Sequence, residues 1–432
     1  FYYDEIDTSS DTFFEGITQL SPGHSLTIKK GDLKVKSYYT LEKKIKPIQN
    51  NPVKGFFEKF RKAVRLRLRS DVSVGFALSG GVDSSSIVGM AHNISGKERK
   101  DTFSIVYPGT AIDESTYIDA VIQKTQFNNY QLTPVKEDLK LDLASFIYHQ
   151  EEPVPNLSYY NEYKLRSYIQ EKKVVVTLEG QGADEIVTGY RSFVLPFYFD
   201  LIESFQWKKL LNEIKHFKKL YPQTFFNILL RYCLSKLPQN LLQTLKKIIK
   251  KRQNPLINSN YFGSLPNIIS PKNKCTNLNS ALMNSLRVHS LPKQLTRADK
   301  SAMAHSIECR FPFLDHNLVE YSFSLSNDQK MHNGVTKKVL RLAMQEHIPV
   351  KVFKRRDKKG FLSPQATWIR ELRDVFDSIV YSEEFKKLEY INWIAFEKKY
   401  SELITHKHNN SQEIWKILSV FLWEKTFIQN QI

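Results

Sequence analysis

Cysteine is scarce: the 432-residue chain carries three, Cys233, Cys275 and Cys309, far apart and without a C-x-x-C pair. That spacing excludes a disulfide framework, a zinc knuckle and an iron–sulfur site. A reducing, cytoplasmic compartment is the simplest expectation. No run of about 18 or more apolar residues occurs, so neither a transmembrane helix nor a membrane partner is expected. The first residues, Phe1-Tyr2-Tyr3-Asp4-Glu5, lack the basic-then-apolar layout of a secretory signal and read as the middle of a longer pattern, as in a fragment. A Walker A loop is missing too, because Gly96-Lys97-Glu98 does not meet G-x-x-x-x-G-K-[ST]. Acidic residues are in deficit: 45 Asp and Glu stand against 63 Lys and Arg, a formal charge of +18.

What is present suits a soluble globular protein of two or three domains, with 41% hydrophobic and 25% charged residues. The basic residues concentrate in Lys208–Arg252. Such a face could meet nucleic acid or an anionic membrane, or be a solvated helical face. The charge alone chooses no partner.

Residues 1–45 carry a β-hairpin signal. A Pro22-Gly23 turn precedes alternating Ser25-Leu26-Thr27-Ile28, a Lys30-Gly31-Asp32 turn, and Leu33 to Tyr39. Residues 46–52, with two prolines, form a plausible linker to a domain over 53–432. Phe56, Phe57, Phe60, Val64 and Leu68 recur at helical spacing. Beyond them, Val72–Leu78, Thr102–Tyr107, Tyr130–Leu132 and Val174–Leu178 read as buried strands. Ser84–Asn93, Tyr117–Thr125 and Tyr159–Gln170 read as the helices between them. The alternation predicts an α/β fold, a doubly wound parallel sheet, followed from Phe197 by a mostly helical part.

The strongest motif is Leu78-Ser79-Gly80-Gly81-Val82-Asp83-Ser84-Ser85, set between a strand and a helix. Two glycines let backbone N–H groups crowd around an anion, and the helix N-terminus adds positive potential. The three serines supply hydroxyls, and Asp83 suits a magnesium ion on phosphates.

This Ser-Gly-Gly-x-Asp-Ser loop resembles the pyrophosphate loop of enzymes that split ATP to AMP and pyrophosphate. Later segments resemble the asparagine synthetases within that group. They are Glu179-Gly180-Gln181-Gly182-Ala183-Asp184-Glu185 with Gly189-Tyr190, Leu295–Asp315 ending in E-x-R-x-P-F-L-D, Lys337–Arg341, and Arg356–Phe361 as R-x-K-x-G-F. The blocks keep the family's order across roughly residues 50–370. Residues 1–45 are similar to the end of the family's N-terminal glutaminase domain. Its cysteine nucleophile has no counterpart before Cys233, so the resemblance puts it upstream in a longer parent protein.

The resemblance implies ATP-dependent amide formation: asparagine from aspartate, with glutamine or ammonia as nitrogen donor, through a β-aspartyl-AMP intermediate. It implies that Ser79, Gly80, Gly81, Asp83, Ser84, Ser85 and Gly182 bind ATP, with Leu78 and Ile105 offering backbone groups to adenine. Asp83 and Asp184 would hold magnesium, and Lys358 would reach the α-phosphate. Read without the resemblance, Asp184-Glu185 is also an ordinary acidic first turn of a helix, and Lys354–Lys359 a solvated charged loop. Glu308 and Arg310 read as a structural ion pair.

Two departures bear on the substrate. Gln181 stands where the family has a glutamate, and an amide cannot take a proton as a carboxylate does. Glu179 or Glu185 are the acids nearby in sequence. The stretch Pro153–Tyr160 also lacks the arginine that would clamp an α-carboxylate; the first base after it is Lys164. A relative amidating another carboxylate, in a peptide, secondary metabolite or surface polysaccharide, therefore stays open. A tRNA thiolase is opposed by the lack of paired cysteines, so no nucleic-acid partner is expected. A non-catalytic module has Gln181 as its sole support. A homodimer stays open.

Overall fold

The computed structural model describes residues 10–48, 50–96, 98–218, 221–237, 255–258, 261, 277–357 and 362–429. The chain divides into two compact units, the first made of Phe1–Leu132, Leu165–Leu229 and Cys275–Gly360, the second of Thr133–Lys164, Leu230–Lys274 and Phe361–Ile432.

In the first unit, β1 (His24–Lys29) and β2 (Asp32–Ser37) form the expected antiparallel hairpin. Its two-residue turn, Lys30-Gly31, has φ of +50° and +88°. Positive φ at both central positions matches the right-handed twist of the flanking strands. Helix α1 (Pro52–Arg67) starts on Asn51, whose Oδ1 accepts the Lys54 N–H at 3.1 Å, with Pro52 at the position where a missing N–H costs nothing. Its buried face, Phe56, Phe60, Ala63 and Val64, packs inward, with the Phe60 ring stacked on Phe313 at 4.8 Å.

The sheet comprises β3 (Val74–Ala77), β4 (Asp101–Ile105), β5 (Asn128–Leu132), β6 (Val176–Leu178) and β7 (Glu308–Arg310). All pairings are parallel, in the order β5-β4-β3-β6-β7. The doubly wound α/β reading is thus correct, with α2 (Val82–Ser95) and α3 (Ser115–Thr125) as connections. Central β3 is apolar because neighbours cover both sides: Phe76 and Phe103 are fully buried. After β3 the chain first adds strands on one side, then returns to add β6 and β7 on the other. The crevice between the carboxyl ends of β3 and β6 is therefore the switch point, where open α/β sheets bind ligands.

The second unit is helical, as expected for the C-terminal part. It contains α4 (Lys136–Gln150), the start of α5 (Ser158–Glu171), and helices Gln365–Glu371, Arg373–Val380, Trp393–Ile404 and Ser411–Phe427. Trp415, fully buried, meets Phe376 edge-on and donates its indole N–H to the Val154 carbonyl at 2.8 Å. No helix among the described residues is long and apolar enough to cross a membrane. Of the basic stretch, residues 219–220 and 238–252 lie outside the described residues, as does Cys275. In helix Trp207–Phe217, Leu210 and Phe217 turn inward while Lys208 and Lys215 are exposed, a solvated basic face.

Candidate active site

Two loops meet at the switch point. After β3, Leu78 spends its N–H on the Phe103 carbonyl (2.8 Å), and the chain turns through Ser79-Gly80-Gly81 into α2. Gly80 has φ +69°, and a Cβ there would lie 2.7 Å from the Cβ of Tyr117. Only glycine meets both demands. Ser84 Oγ accepts the Ser79 N–H at 3.2 Å and lies 3.1 Å from Ser79 Oγ, tying the loop to the first helical turn. Gly81 caps α2 without a side chain, so no side-chain acceptor covers the first-turn N–H groups. The Ser85 hydroxyl, fully buried, has no hydrogen-bond partner among the described residues.

After β6, Glu179 to Gly182 lead into the short helix α6 (Ala183–Val187), with Gly182 at φ +93° as its cap. Asp184 is its second residue. Lys337 Nζ lies 2.5 Å from Asp184 Oδ1 and 2.5 and 2.7 Å from the two oxygens of Asp83. The structure thus brings the two expected metal-binding aspartates together around Lys337 Nζ, from the first turns of α2 and α6. Burial pulls the Lys337 pKa down, against the two oxygens of Asp83 that hold its charge. Gly189 leaves space for this pair: a Cβ there would run into the Asp184 carboxylate and come 2.6 Å from Lys337 Cε.

Glu179 points the other way. Its carboxylate meets Arg166 at 2.5 and 2.7 Å and accepts Thr177 Oγ1 at 2.9 Å and Cys309 Sγ at 3.1 Å. Burial alone would raise its pKa, but Arg166 and these donors hold it below the usual carboxylate range. A carboxylate so engaged is a poor proton acceptor. Gln181 donates its Nε2 to Glu179 Oε2 at 3.1 Å, which leaves its side-chain carbonyl as an acceptor not used in that bond. Glu185, also buried, accepts Tyr190 Oη (2.7 Å), Ser290 Oγ (2.8 Å) and Gln294 Nε2 (2.9 Å) through one oxygen. Burial followed by the Glu185 charge raises the Tyr190 phenol well above its ordinary pKa.

Ile105 ends β4 and Leu78 follows the last residue of neighbouring β3, both at the carboxyl edge of the sheet. Lys358 lies outside the described residues. Glu308 and Arg310 pair at 2.6 Å, and Arg310 also donates to the Arg67 and Arg69 carbonyls, a structural role. Lys164 is engaged with Asp138 (3.1 Å) and Asp142 (3.0 Å). Two residues escaped the sequence reading. Lys337 stood inside the quoted Lys337–Arg341 block without a role of its own, and Arg355 lay within a charge run, next to the quoted Arg356–Phe361 block.

The donor set suits a magnesium–nucleotide. Among the described residues no group of three or more His, Cys, Asp or Glu forms a cage of its own. Two aspartates beside the uncapped first-turn N–H groups of α2 and the buried Ser85 hydroxyl are donors of the kind that a metal completed by phosphate oxygens takes. The family model described as asparagine synthase matches residues 55–425. The chain belongs to the asparagine synthase family. Its similarity to the asparagine synthetase [glutamine-hydrolyzing] 1 of Bacillus subtilis is 27% identity, covering 96% of this chain and 66% of that protein. Asparagine synthetase [glutamine-hydrolyzing] 3 of the same organism is also 27% identical, over 87% of this chain and 60% of its own length. The amidase chyE of Penicillium rubens is 25% identical over 92% of the chain. The chain spans just under two thirds of the length of these relatives or less, and it shares its matched region with proteins of both names.

Proposed function

We propose that this chain is the ligase part of an ATP-dependent amide-forming enzyme that activates a carboxylate as its adenylate and passes nitrogen to it. The observation that carries the reading is the convergence of Asp83 and Asp184 around Lys337 Nζ beside the uncapped N-terminus of α2. Loop N–H groups from Gly80 to Ser84, with the Ser79 and Ser85 hydroxyls, would take up the β- and γ-phosphates, and Leu78 just after β3 and Ile105 at the end of β4 would border adenine. Asp83 and Asp184 would hold magnesium, which supplies charge neutralisation for the departing pyrophosphate. Lys337, already between them, balances the two carboxylates. Lys358 remains the proposed cation for the α-phosphate. Glutamine hydrolysis, by a domain preceding residue 1, is proposed as the nitrogen source.

Aspartate is the leading carboxylate, giving asparagine. A different carboxylate is the second reading, favoured by two observations: Lys164 is committed to Asp138 and Asp142, and Gln181 is a neutral amide whose nitrogen is committed to Glu179. Pyrophosphate exchange with the full-length protein tests both. Aspartate-driven exchange, abolished in Asp83→Ala, is expected for an asparagine synthetase. Exchange driven by another acid alone would move the assignment to it, and failure to bind ATP would end the reading.

A further inference from the structure

We propose that Arg355 is a positioning residue for the anion-binding loop, fixing the Gly80–Gly81 peptide so that its N–H faces the phosphates; this rests on the nucleotide reading above. The side chain of Arg355 is 2% exposed, although its neighbours Lys354 and Arg356 are on the surface. Its Nη1 donates to the Gly80 carbonyl at 3.3 Å. Nη2 pairs with Glu114, and the guanidinium takes both oxygens of Asp357 at 3.2 Å. The same plane lies over the Tyr117 ring at 4.1 Å from its centre.

The consequence for the loop follows from peptide geometry. In a trans peptide the carbonyl and the following N–H point in opposite directions. With the Gly80 oxygen held by Arg355, the Gly81 N–H must face away from the guanidinium, into the turn leading to α2. Left alone, a Gly-Gly peptide flips at little cost, because neither residue has a Cβ to oppose it. Gly80 is also crowded by Tyr117 and by the Ile118 N–H, which a Cβ would approach to 2.7 Å and 3.0 Å. Tyr117 therefore touches the loop with its own Cβ and supports the arginine with its ring. A lysine could supply the charge but not the planar fork that serves Gly80, Glu114 and Asp357 together while stacking on an aromatic face.

The test compares wild type with Arg355→Ala and Arg355→Lys in magnesium–ATP binding and in pyrophosphate exchange. Arg355→Ala is expected to raise the KM for ATP about 10- to 100-fold, as a misplaced binding group does, with the KM for the activated acid unchanged. Guanidinium chloride at low concentration should restore part of the loss in Arg355→Ala, and Arg355→Lys should resemble Arg355→Ala. If Arg355→Ala does not fold, Arg355→Lys carries the same comparison. Wild-type ATP affinity in a folded variant, or equal changes in both KM values, would overturn the proposal while leaving the nucleotide reading intact. Absence of ATP binding in the wild type would instead sink that reading.

Discussion

Glu179 and Arg166 form a two-pronged ion pair at 2.5 and 2.7 Å with side chains 2% and 1% exposed. Removing one partner strands a buried charge, at a cost of about 3–5 kcal/mol. Arg166→Met should therefore unfold at markedly lower denaturant, and replacing both residues by apolar ones of similar volume should recover most of the loss. The Glu179 pKa is depressed in the fold, so its contribution is complete above the ordinary carboxylate range and is lost as pH falls through the folded value. Urea titrations at pH 7 and pH 4 measure both effects. A loss under about 1 kcal/mol in Arg166→Met would mean that the pair is not desolvated.

Gly189→Ala makes a sharper prediction about the metal. The added methyl occupies the place of the Asp184 carboxylate and presses on Lys337, while the backbone at 189 is not in the left-handed region. The variant should fold, yet lose exchange activity as completely as Asp184→Ala. Retained activity at ordinary magnesium would show that Asp184 does not need its place beside Lys337.

How far the sequence carries depends on where each signal resides. Strands β3, β4 and β6 and helices α2, α3 and α5 announce themselves through apolar runs and helical spacing, because their neighbours bury them, whereas β5, expected as a buried strand, is the half-exposed edge of the sheet. Strand β7 does not announce itself: Glu308-Cys309-Arg310 has two charges in three residues and is a strand because β6 offers it an open edge. Helix α4 is absent from the sequence reading, since exposed Leu141 and Tyr148 blur the stripe made by Leu139, Leu143 and Phe146. In the site, Ser79 to Ser85 and Asp184 belong to local motifs. The pairing of Lys337 with both aspartates, and of Arg355 with Gly80, is tertiary; nothing in Lys354-Arg355-Arg356 distinguishes the buried arginine from its exposed neighbours.

Lys330 offers a pH test away from the loop. It is fully buried, its Nζ donating to Asn279 Oδ1 at 2.7 Å, and burial lowers its pKa to about 7, against the attraction of Asp200. The unfolded chain binds this proton up to the ordinary lysine range, so the folded state is penalised in full below about pH 7. Stability should rise as pH climbs from 7 toward 10. Lys330→Met should flatten that slope, at a cost of about 1–3 kcal/mol for the acceptors it leaves unpaired. An unchanged slope would clear Lys330 of the effect.

Gln181→Glu probes the departure that most affects the chemistry. The Gln181 amide donates to Glu179 at 3.1 Å. A carboxylate in its place turns a donor into a second negative acceptor, so the lost bond and like-charge repulsion should cost about 1–3 kcal/mol at pH 8. The new carboxyl would have its folded pKa raised, because the protonated form can donate to Glu179 as the amide does. The stabilising proton is held at low pH and lost as pH rises through that raised value, so the deficit should shrink between pH 8 and pH 5.5. The same raised pKa would make the group a proton acceptor near neutrality, and turnover with ammonium should gain a titration step that the wild type lacks. Equal destabilisation at both pH values would mean that the new side chain has turned away from Glu179, and no base has been created.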